Sequence, residues 1–439
     1  MTNPARVCGP LLAAALALAG CASGNPVAGN TSHIPVSVPP TTTAGMPSAQ
    51  PTVTASGVAT TPLRRDNFGM HVGAPGTWPQ IPIGSFRIWN ADSTWGALEP
   101  SPGAWNFAPL DRRIALAEES KAPVLLVLAM PPAWAATKPE LKSYGGSPSM
   151  PSDVGAWTTY VRTVAERYAG RIEAYEIWNE PNLVQFWASS PGEMATLTET
   201  AASAIRGADP DALVVSPGLS GRTAGSTQFF SAYTSTLSPD AIDVIGLHVY
   251  PYPGDGPESM IAMTAGFRTL ADDAGLAEKP MWNTEIGYGR TPDQLFSGDT
   301  AAGLILRTYL VLPSIGLERN YWYMWDDRAF VGLYLLGADK ATPTESADAF
   351  VEAQRWLAGT GLLGCAAAET LWTCELLKDG VRTEVTWSLG GEVLVEVPAG
   401  STVMYPFRGD LQPVQPGTTV PVGDLPVLFS PLPIPTLDS

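Results

Sequence analysis

Short apolar runs rich in β-branched and aromatic residues alternate along most of the chain with segments of helical periodicity. Eight such runs can be counted, and they end near His71, Asn90, Met130, Glu180, Ser216, Tyr250, Glu285 and Trp325. Helical periodicity marks the segments 109–120, 151–168, 191–208, 257–274 and 300–313, several of which begin with proline or a capping residue. This alternation is typical of a parallel sheet covered by helices.

Eight strands spread over about 260 residues match the size of a (β/α)8 barrel. A doubly wound open sheet is the alternative, but eight units with motifs at several different strand ends fit it poorly. The stretch between His71 and Ser85 contains too much glycine and proline for a helix, so we expect a loop there. The sequence therefore predicts a (β/α)8 TIM barrel over residues 63–358.

The last part of the chain has a different pattern. After a final predicted helix at 347–357, apolar and polar residues alternate and are interrupted by Asp-Gly and Gly-Gly turns. These are hairpin signals, so we predict a small antiparallel β module over residues 359–439. Cys365 and Cys374 are close enough for a hairpin disulfide, which export would favour, whereas two free buried thiols are the alternative.

The first residues predict export. Residues 1–20 contain one basic residue and an apolar run of about ten residues, which is too short to span a bilayer. Leu18-Ala19-Gly20-Cys21 resembles a bacterial lipobox, and the resemblance implies cleavage before Cys21 and lipidation of its thiol. A plain secretory signal with an incidental cysteine is the alternative. Residues 21–62, rich in Thr, Ser and Pro, predict a flexible linker, so we expect a protein anchored to the outer face of the cytoplasmic membrane.

Composition narrows the possible partners. The formal net charge of -17 and the pI near 4.6 disfavour nucleic acid, because its binders need the opposite charge. Only three histidines occur, and the four cysteines form no CxxC pair, which leaves little room for an imidazole or thiolate metal centre. We therefore predict neither a metal nor a cofactor. The oligomeric state is left open.

Two glutamates stand out because each ends a predicted strand. Glu180 follows Ile177-Trp178-Asn179 at the end of the fourth strand, and Glu285 follows Trp282-Asn283-Thr284 at the end of the seventh. A barrel brings the carboxyl ends of all its strands to one rim, where active sites are built. Two carboxyl groups facing each other across a cleft are what hydrolysis of a glycosidic bond requires.

Asn179-Glu180-Pro181 on strand four, with Glu285 on strand seven, resembles the clan A glycoside hydrolases. Residues 93–111 resemble the stretch after strand two in family 39 and family 5 enzymes, and family 39-like proteins are the nearest match. The resemblance implies a retaining hydrolase in which Glu180 is the acid/base and Glu285 the nucleophile. A neighbouring ionised Glu285 would help to keep Glu180 protonated.

The same resemblance implies roles for four further residues. Asn179 would bind the sugar 2-hydroxyl, Arg87 would hold the nucleophile ionised, and Tyr250, with His248 beside it, would touch the nucleophile. Trp325, at the end of strand eight, is our preferred stacking platform for the sugar. The alternatives are an ordinary ion pair for Arg87, a buried polar pair for His248 and Tyr250, and core packing for Trp325. Glu176, on the strand of Glu180, is interpreted as structural or as a bystander.

These observations predict an exported retaining glycoside hydrolase acting on an oligo- or polysaccharide. One alternative is a carbohydrate-binding lipoprotein whose barrel has lost catalysis, although both glutamates are present. Another is a solute-binding lipoprotein, which would need two α/β lobes rather than one uninterrupted run of eight units. The sugar, its anomer and linkage, and exo or endo action depend on loop shape and are not predicted.

Overall fold

The computed structural model describes residues 61–74, 76–89, 92–289, 295–326 and 330–434. The predicted signal peptide, the proposed lipidation site at Cys21 and the linker up to residue 60 lie outside this part. Within it, the structure contains no helix whose length and apolar character would suit a membrane crossing.

Nine parallel segments form the central sheet. In chain order they are β1 (Phe68–His71), β2 (Ser85–Ile88), β3 (Val124–Leu128), β4 (Ala174–Ile177), β5 (Leu213–Val215), β6 (Leu219–Ser220), β7 (Ile245–His248), β8 (Met281–Ile286) and β9 (Leu317–Trp322). Their spatial order is β5-β4-β3-β2-β1-β9-β8-β7-β6. Nearly every residue in them is buried, as expected for a parallel sheet covered on both faces.

The two outer segments, β5 and β6, are halves of one barrel strand. Only Ser216, Pro217 and Gly218 separate them; β5 pairs with β4, and β6 pairs with β7. Two bridges close the ring, one between Asn179 and Gly218 and one between Val215 and Val244. The sheet is therefore an eight-stranded barrel with a split fifth strand, which confirms the predicted (β/α)8 class. Because of the split, the seventh barrel strand bears the label β8.

Among the described residues, eight α-helices accompany the barrel: α1 (Trp95–Leu98), α2 (Ala108–Glu119), α3 (Val154–Arg167), α4 (Pro191–Ala208), α5 (Ser226–Thr234), α6 (Met260–Asp273), α7 (Gly298–Ser314) and α8 (Glu345–Leu357). The helix α4 begins with a capping box, in which Ser190 and Glu193 bond each other's backbone N–H. Between β1 and β2 the described residues form no helix, in agreement with their glycine and proline content.

The helices α1 and α5 were not predicted. The sequence around α5 is rich in serine, threonine and glycine, which locally favours a loop. Phe230 and Tyr233 are nevertheless buried, and Phe230 packs edge-on against Phe267 of α6. Tertiary packing therefore decides the helical state of this segment against its local preference.

A β module follows α8. It contains β10 (Gly361–Ala368), β11 (Leu371–Lys378), β12 (Val381–Ser388), β13 (Val393–Glu396), β14 (Val403–Pro406), β15 (Gln412–Pro413), β16 (Thr419–Val422) and β17 (Val427–Ser430). Six of these strands form one antiparallel sheet, and β13 pairs with β16. Cys365 and Cys374 face each other across β10 and β11 and are joined by a disulfide. The indole of Trp387 donates to Glu258 of the barrel at 2.9 Å.

The described chain enters at the amino-terminal end of the barrel. Residues 61–64 line a cavity of about 540 Å³ together with the first residues of β5 and β9. There Arg319 donates to Glu173 at 2.7 Å and to Asp66 at 2.8 Å, and lies over the Trp282 ring. We call Asp66, Glu173, Trp282 and Arg319 the foot cluster. The predicted catalytic glutamates lie at the opposite end of the barrel.

Candidate active site

Most of the predicted site residues converge at the carboxyl-terminal rim of the barrel. A carboxylate oxygen of Glu180, a ring nitrogen of His248 and a carboxylate oxygen of Glu285 all lie within 4.8 Å of one another. Carboxyl groups about 5–5.5 Å apart are typical of retaining glycosidases, whereas inverting enzymes need about 6.5–9.5 Å to admit a water. The spacing therefore suits direct attack by one carboxylate. We call Arg87, Glu176, Glu180, His248 and Glu285 the mouth cluster.

The end of β4 has an unusual backbone that aims Glu180 into the rim. Trp178 and Glu180 have φ values of 80° and 43°, in the left-handed region that costs a non-glycine residue about 1–3 kcal/mol. Two bonds hold this conformation: the Trp178 indole donates to the Phe186 carbonyl at 2.7 Å, and the Glu180 N–H donates to the Gly218 carbonyl at 2.8 Å. Packing of the β4 loop thus fixes the direction of the Glu180 side chain.

Arg87 occupies the centre of the site and is fully buried. Its guanidinium donates to Glu176 at 2.5 Å, to Glu285 at 3.0 Å and to the Asn179 side-chain oxygen at 2.9 Å. One planar cation thereby fixes three side chains, from β4, from the turn that follows it and from β8, relative to one another. Glu180, His248 and Glu285 have a spacing at which three ligands could hold a cation, but the positive charge of Arg87 beside Glu285 opposes one there.

Glu285 receives a second bond from Tyr250, whose hydroxyl donates to it at 2.8 Å. Burial raises the pKa of Glu285, while His248, Arg87 and the bond from Tyr250 act to lower it, and the charge of Glu180 raises it again. The net direction is upward. The same burial and the neighbouring carboxylates raise the pKa of Tyr250, so that its hydroxyl stays protonated and able to donate.

His248 lies between Glu180 and the interior of the barrel. Its Nδ1 is 3.1 Å from Glu180, and its Nε2 is 3.3 Å from an Arg87 nitrogen and 3.8 Å from Glu176. Burial lowers its pKa, but the negative charge of Glu285 and the bonds to Glu176 and Glu180 outweigh burial and raise the pKa to about 9. A charged ring donates from both nitrogens, whereas a neutral ring can accept from Arg87 at Nε2.

Trp325 lies in a different position from the other predicted residues. It is almost fully buried and lines a cavity of about 590 Å³ with Trp78 and Met324. Tyr323, two residues earlier, is partly exposed, and its ring lies 5.1 Å from that of His71 in an edge arrangement. Sequence reasoning missed Tyr323 because the run from Tyr321 to Trp325 offers four aromatic residues and does not show which one faces the site.

Two polar residues of the site were also missed. His71, at the end of β1, accepts from Arg87 at 2.9 Å, and burial together with the Arg87 charge holds its pKa well below the usual range. Glu176 was interpreted as structural, yet it contacts Arg87 and accepts from the Thr284 hydroxyl at 2.7 Å. The available signal was the period of two along β4, which puts Glu176 on one face with the strand end.

Three aromatic rings from three successive loops meet on the rim beside β4. Tyr144 lies 5.2 Å from Trp89 and 5.4 Å from Phe186, and the latter two rings are 6.3 Å apart. Trp89 and Phe186 are buried, while about a third of Tyr144 is exposed. These contacts stabilise the loop that follows Glu180.

Residues 99–301 match the family model described as glycosyl hydrolases family 39. The barrel carries a glycosyl hydrolase family 39 domain. The matched residues include Glu180, His248, Tyr250 and Glu285, whereas Arg87 precedes them.

The family 39 domain is also similar to known proteins. A β-xylosidase of Geobacillus stearothermophilus is 24% identical over 236 residues, which are 48% of this chain and 45% of that protein. The match thus spans less than half of the relative's length. A family 39 glycoside hydrolase from Bacteroides cellulosilyticus WH2 shares the fold with a TM-score of 0.67 and 18% identity, over 84% of this chain and 81% of that one. A monomeric β-xylosidase from Caulobacter crescentus CB15 gives a TM-score of 0.60 and 15% identity, over 85% and 97%.

Proposed function

We propose that the protein is a retaining glycoside hydrolase in which Glu180 is the acid/base and Glu285 the nucleophile. The observation that supports this most is the approach of the two carboxyl groups to within 4.8 Å at the rim of a family 39 barrel. Their surroundings differ, as two different roles require. Glu285 is held by Arg87 and Tyr250, and Glu180 by His248.

In the first step, the Glu180 carboxyl gives its proton to the glycosidic oxygen while the bond from that oxygen to the anomeric carbon breaks. A Glu285 oxygen attacks the same carbon and forms a glycosyl ester. The bonds from Arg87 and Tyr250 favour the ionised form of Glu285 against the effect of burial, and they fix the direction of its attack. The Asn179 amide, fixed through its oxygen on Arg87, would turn its N–H groups to the sugar 2-hydroxyl.

In the second step, a water molecule takes the place of the departed alcohol. Glu180, now a carboxylate, removes a proton from this water, whose oxygen attacks the anomeric carbon as the ester bond to Glu285 breaks. The sugar leaves with its original anomeric configuration, Glu285 is again a carboxylate, and Glu180 is again protonated. The cycle needs no cofactor, because both protons and both bonds are accounted for by the two glutamates and water.

For the substrate, we propose a xyloside first, because two similar proteins are described as β-xylosidases. A panel of aryl glycosides containing xylosides, glucosides, galactosides and arabinosides tests this choice directly. Faster turnover of the β-xyloside than of any other substrate would support it. Faster turnover of another glycoside would change the proposed sugar but not the proposed type of reaction.

Covalent labelling tests the mechanism itself. A 2-fluoro glycoside of the preferred sugar should add one sugar mass to the protein, and digestion should locate it on the peptide containing Glu285. A catalytically inactive carbohydrate-binding protein is the second candidate; it would bind glycans but never acquire the label. The intact set of contacts around Glu285 and Glu180 favours the enzyme, because a binding protein needs neither.

We further propose that the protein is exported and held at the outer face of the membrane by a lipid on Cys21. The motif Leu18-Ala19-Gly20-Cys21 supports this, and so does the Thr-, Ser- and Pro-rich segment 21–62 that follows it. Metabolic labelling with an alkyne fatty acid should mark the wild type and not Cys21→Ser. Equal labelling of both proteins, or a wild type found only in the cytoplasm, would contradict the anchor.

A further inference from the structure

Glu176 is a fully buried carboxylate to which the proposed reaction assigns no step. It lies on β4 beneath the two catalytic glutamates, and its side chain has no exposure to solvent. Burying a carboxylate is expensive unless it is paired, so its retention there needs a reason. Its contacts with other side chains provide that reason.

Each of two cationic partners of Glu176 also contacts one catalytic glutamate. Arg87 binds Glu176 at 2.5 Å and Glu285 at 3.0 Å. His248 has its Nε2 3.8 Å from Glu176 and its Nδ1 3.1 Å from Glu180. The carboxylate of Glu176 is therefore one residue removed from both members of the catalytic pair.

We propose that Glu176 is a positioning residue that couples the two glutamates: it acts on Glu285 through Arg87 and on the proton of Glu180 through His248. This inference rests on the proposed function. Glu176 orients the guanidinium and shares its positive charge with Glu285. It also stabilises the charged form of His248, so that the proton needed for the first step can rest on the imidazole or on Glu180.

The split in the fifth barrel strand makes this arrangement possible. A Cβ atom at Gly218, between β5 and β6, would collide with both the Nε2 of His248 and an oxygen of Glu176. The Gly218 carbonyl also accepts the Glu180 N–H at 2.8 Å. The same glycine therefore leaves space for the Glu176–His248 approach and fixes the backbone of the acid/base residue.

The charges around Glu176 determine the direction of the effect. Glu176 is faced directly by Arg87 of β2, His248 of β7 and Thr284 of β8. One contact further away lie Glu180, Glu285, His71 and Tyr250. Burial opposes ionisation of Glu176, but the charge of Arg87 and the contacts of His248 prevail and lower its pKa. Glu176 is thus an anion, and its charge favours the protonated forms of the other ionisable groups in the mouth cluster.

The decisive variant is Glu176→Gln, which keeps the shape and removes the charge. Without that charge, Arg87 stabilises ionised Glu285 more strongly, and the Glu180–His248 pair releases its proton more easily. Both limbs of the pH profile of kcat/KM should therefore move to lower pH, by about one unit for a charge at this distance. Glu176→Asp, which retains a carboxylate, should restore most of the wild-type profile.

Glu173→Gln is a matched control. Glu173 lies three residues earlier, just before β4, and also binds a barrel arginine, Arg319, but at the foot. Its replacement should lower the melting temperature without moving either limb. A merely structural role would give a different result: Glu176→Gln would lose activity at every pH, and both limbs of its kcat/KM profile would stay at their wild-type pH. That result would overturn the coupling.

A second readout does not depend on turnover. The chain contains only His33, His71 and His248, so isotope labelling of histidine gives three resonances, which single substitutions assign. The titration midpoint of His248 should fall by about one unit in Glu176→Gln and stay in place in Glu173→Gln. An unchanged midpoint in both variants would contradict the proposal, whereas absence of covalent labelling at Glu285 would instead contradict the proposed function.

Discussion

An arginine–carboxylate cluster lies at each end of the barrel, and each of the two includes a glutamate that lies on β4 or directly before it. At the foot, Arg319 holds Glu173 and Asp66; at the mouth, Arg87 holds Glu176 and Glu285. In the foot cluster the arginine also lies 4.2 Å from the Trp282 ring centroid. An ion pair alone therefore does not distinguish a site of chemistry from a structural contact.

The two clusters differ in what lies beside the ion pairs. Next to Arg87, the buried Glu285 and His248 both have raised pKa values, and a second carboxyl group, that of Glu180, completes the cluster. At the foot, the carboxylates of Asp66 and Glu173 bind Arg319, and Asp66 also pairs with Arg64. Several ionisable groups that compete for few protons are what acid–base chemistry requires, and only the mouth cluster has them.

The largest expected difference between the two ends follows from Glu285→Ala. This variant should lose turnover completely, because no other carboxylate can form the glycosyl ester. Added azide should restore turnover of an activated aryl glycoside and give a glycosyl azide of inverted configuration, identified by NMR. The control is Glu173→Ala at the foot, which should retain wild-type kcat. Hydrolysis by Glu285→Ala without azide would show that the nucleophile is elsewhere.

A smaller loss is expected from Glu180→Ala, and it should depend on the leaving group. Removal of a general acid costs about 10²- to 10⁴-fold when the leaving group needs protonation. Release of a very acidic phenol needs little help, so its first step should be spared. Comparing kcat/KM for a series of aryl glycosides against phenol pKa measures this dependence. An equal loss across the series would contradict the acid role of Glu180.

The two outer glutamates of the mouth cluster, Glu180 and Glu285, were predictable because each ends a predicted strand. The barrel class and the rim position of Glu180 and Glu285 follow from the order and number of the predicted strands. The roles of Arg87, His248 and Tyr250 were implied instead by the resemblance to the clan A glycoside hydrolases. These patterns depend on local sequence. They require only that the strands form a closed ring.

The remaining features depend on contacts between distant segments. The break in the fifth strand at Gly218 and the contact of Glu176 with His248 involve residues far apart along the chain, and neither leaves a local signal. Likewise, the exposure of Tyr323 rather than Trp325 depends on how the loops pack at the rim. Periodicity specifies the face on which a side chain lies but not its partner.

Replacing each arginine by methionine sharpens the comparison of stability. Arg87→Met leaves Glu176 buried without its main partner, which should lower the free energy of unfolding by about 3–5 kcal/mol and abolish turnover. Arg319→Met should cost less, about 1.5–3 kcal/mol, because Glu173 is a third exposed and water can replace the bonds. Urea unfolding and kcat measured on both variants separate the two effects. A large loss of kcat in Arg319→Met would contradict a purely structural role of the foot cluster.

The smallest expected effect is the dependence of stability on pH. His248 binds its proton more tightly in the folded state, where its pKa is about 9, than in the unfolded chain, where it is about 6.5. Its contribution is therefore complete below pH 6.5 and is lost as the pH rises towards 9, a fall of about 2–3 kcal/mol in the free energy of unfolding. Glu285, whose pKa is also raised, acts in the same direction at lower pH. Urea unfolding at pH 6, 7.5 and 9 should show this fall in the wild type and in Arg319→Met but not in His248→Gln. A free energy of unfolding that is constant or rises over this range would mean that His248 is neutral in the folded protein. The mouth cluster would then lack a histidine that titrates in this range and would resemble the foot cluster in that respect.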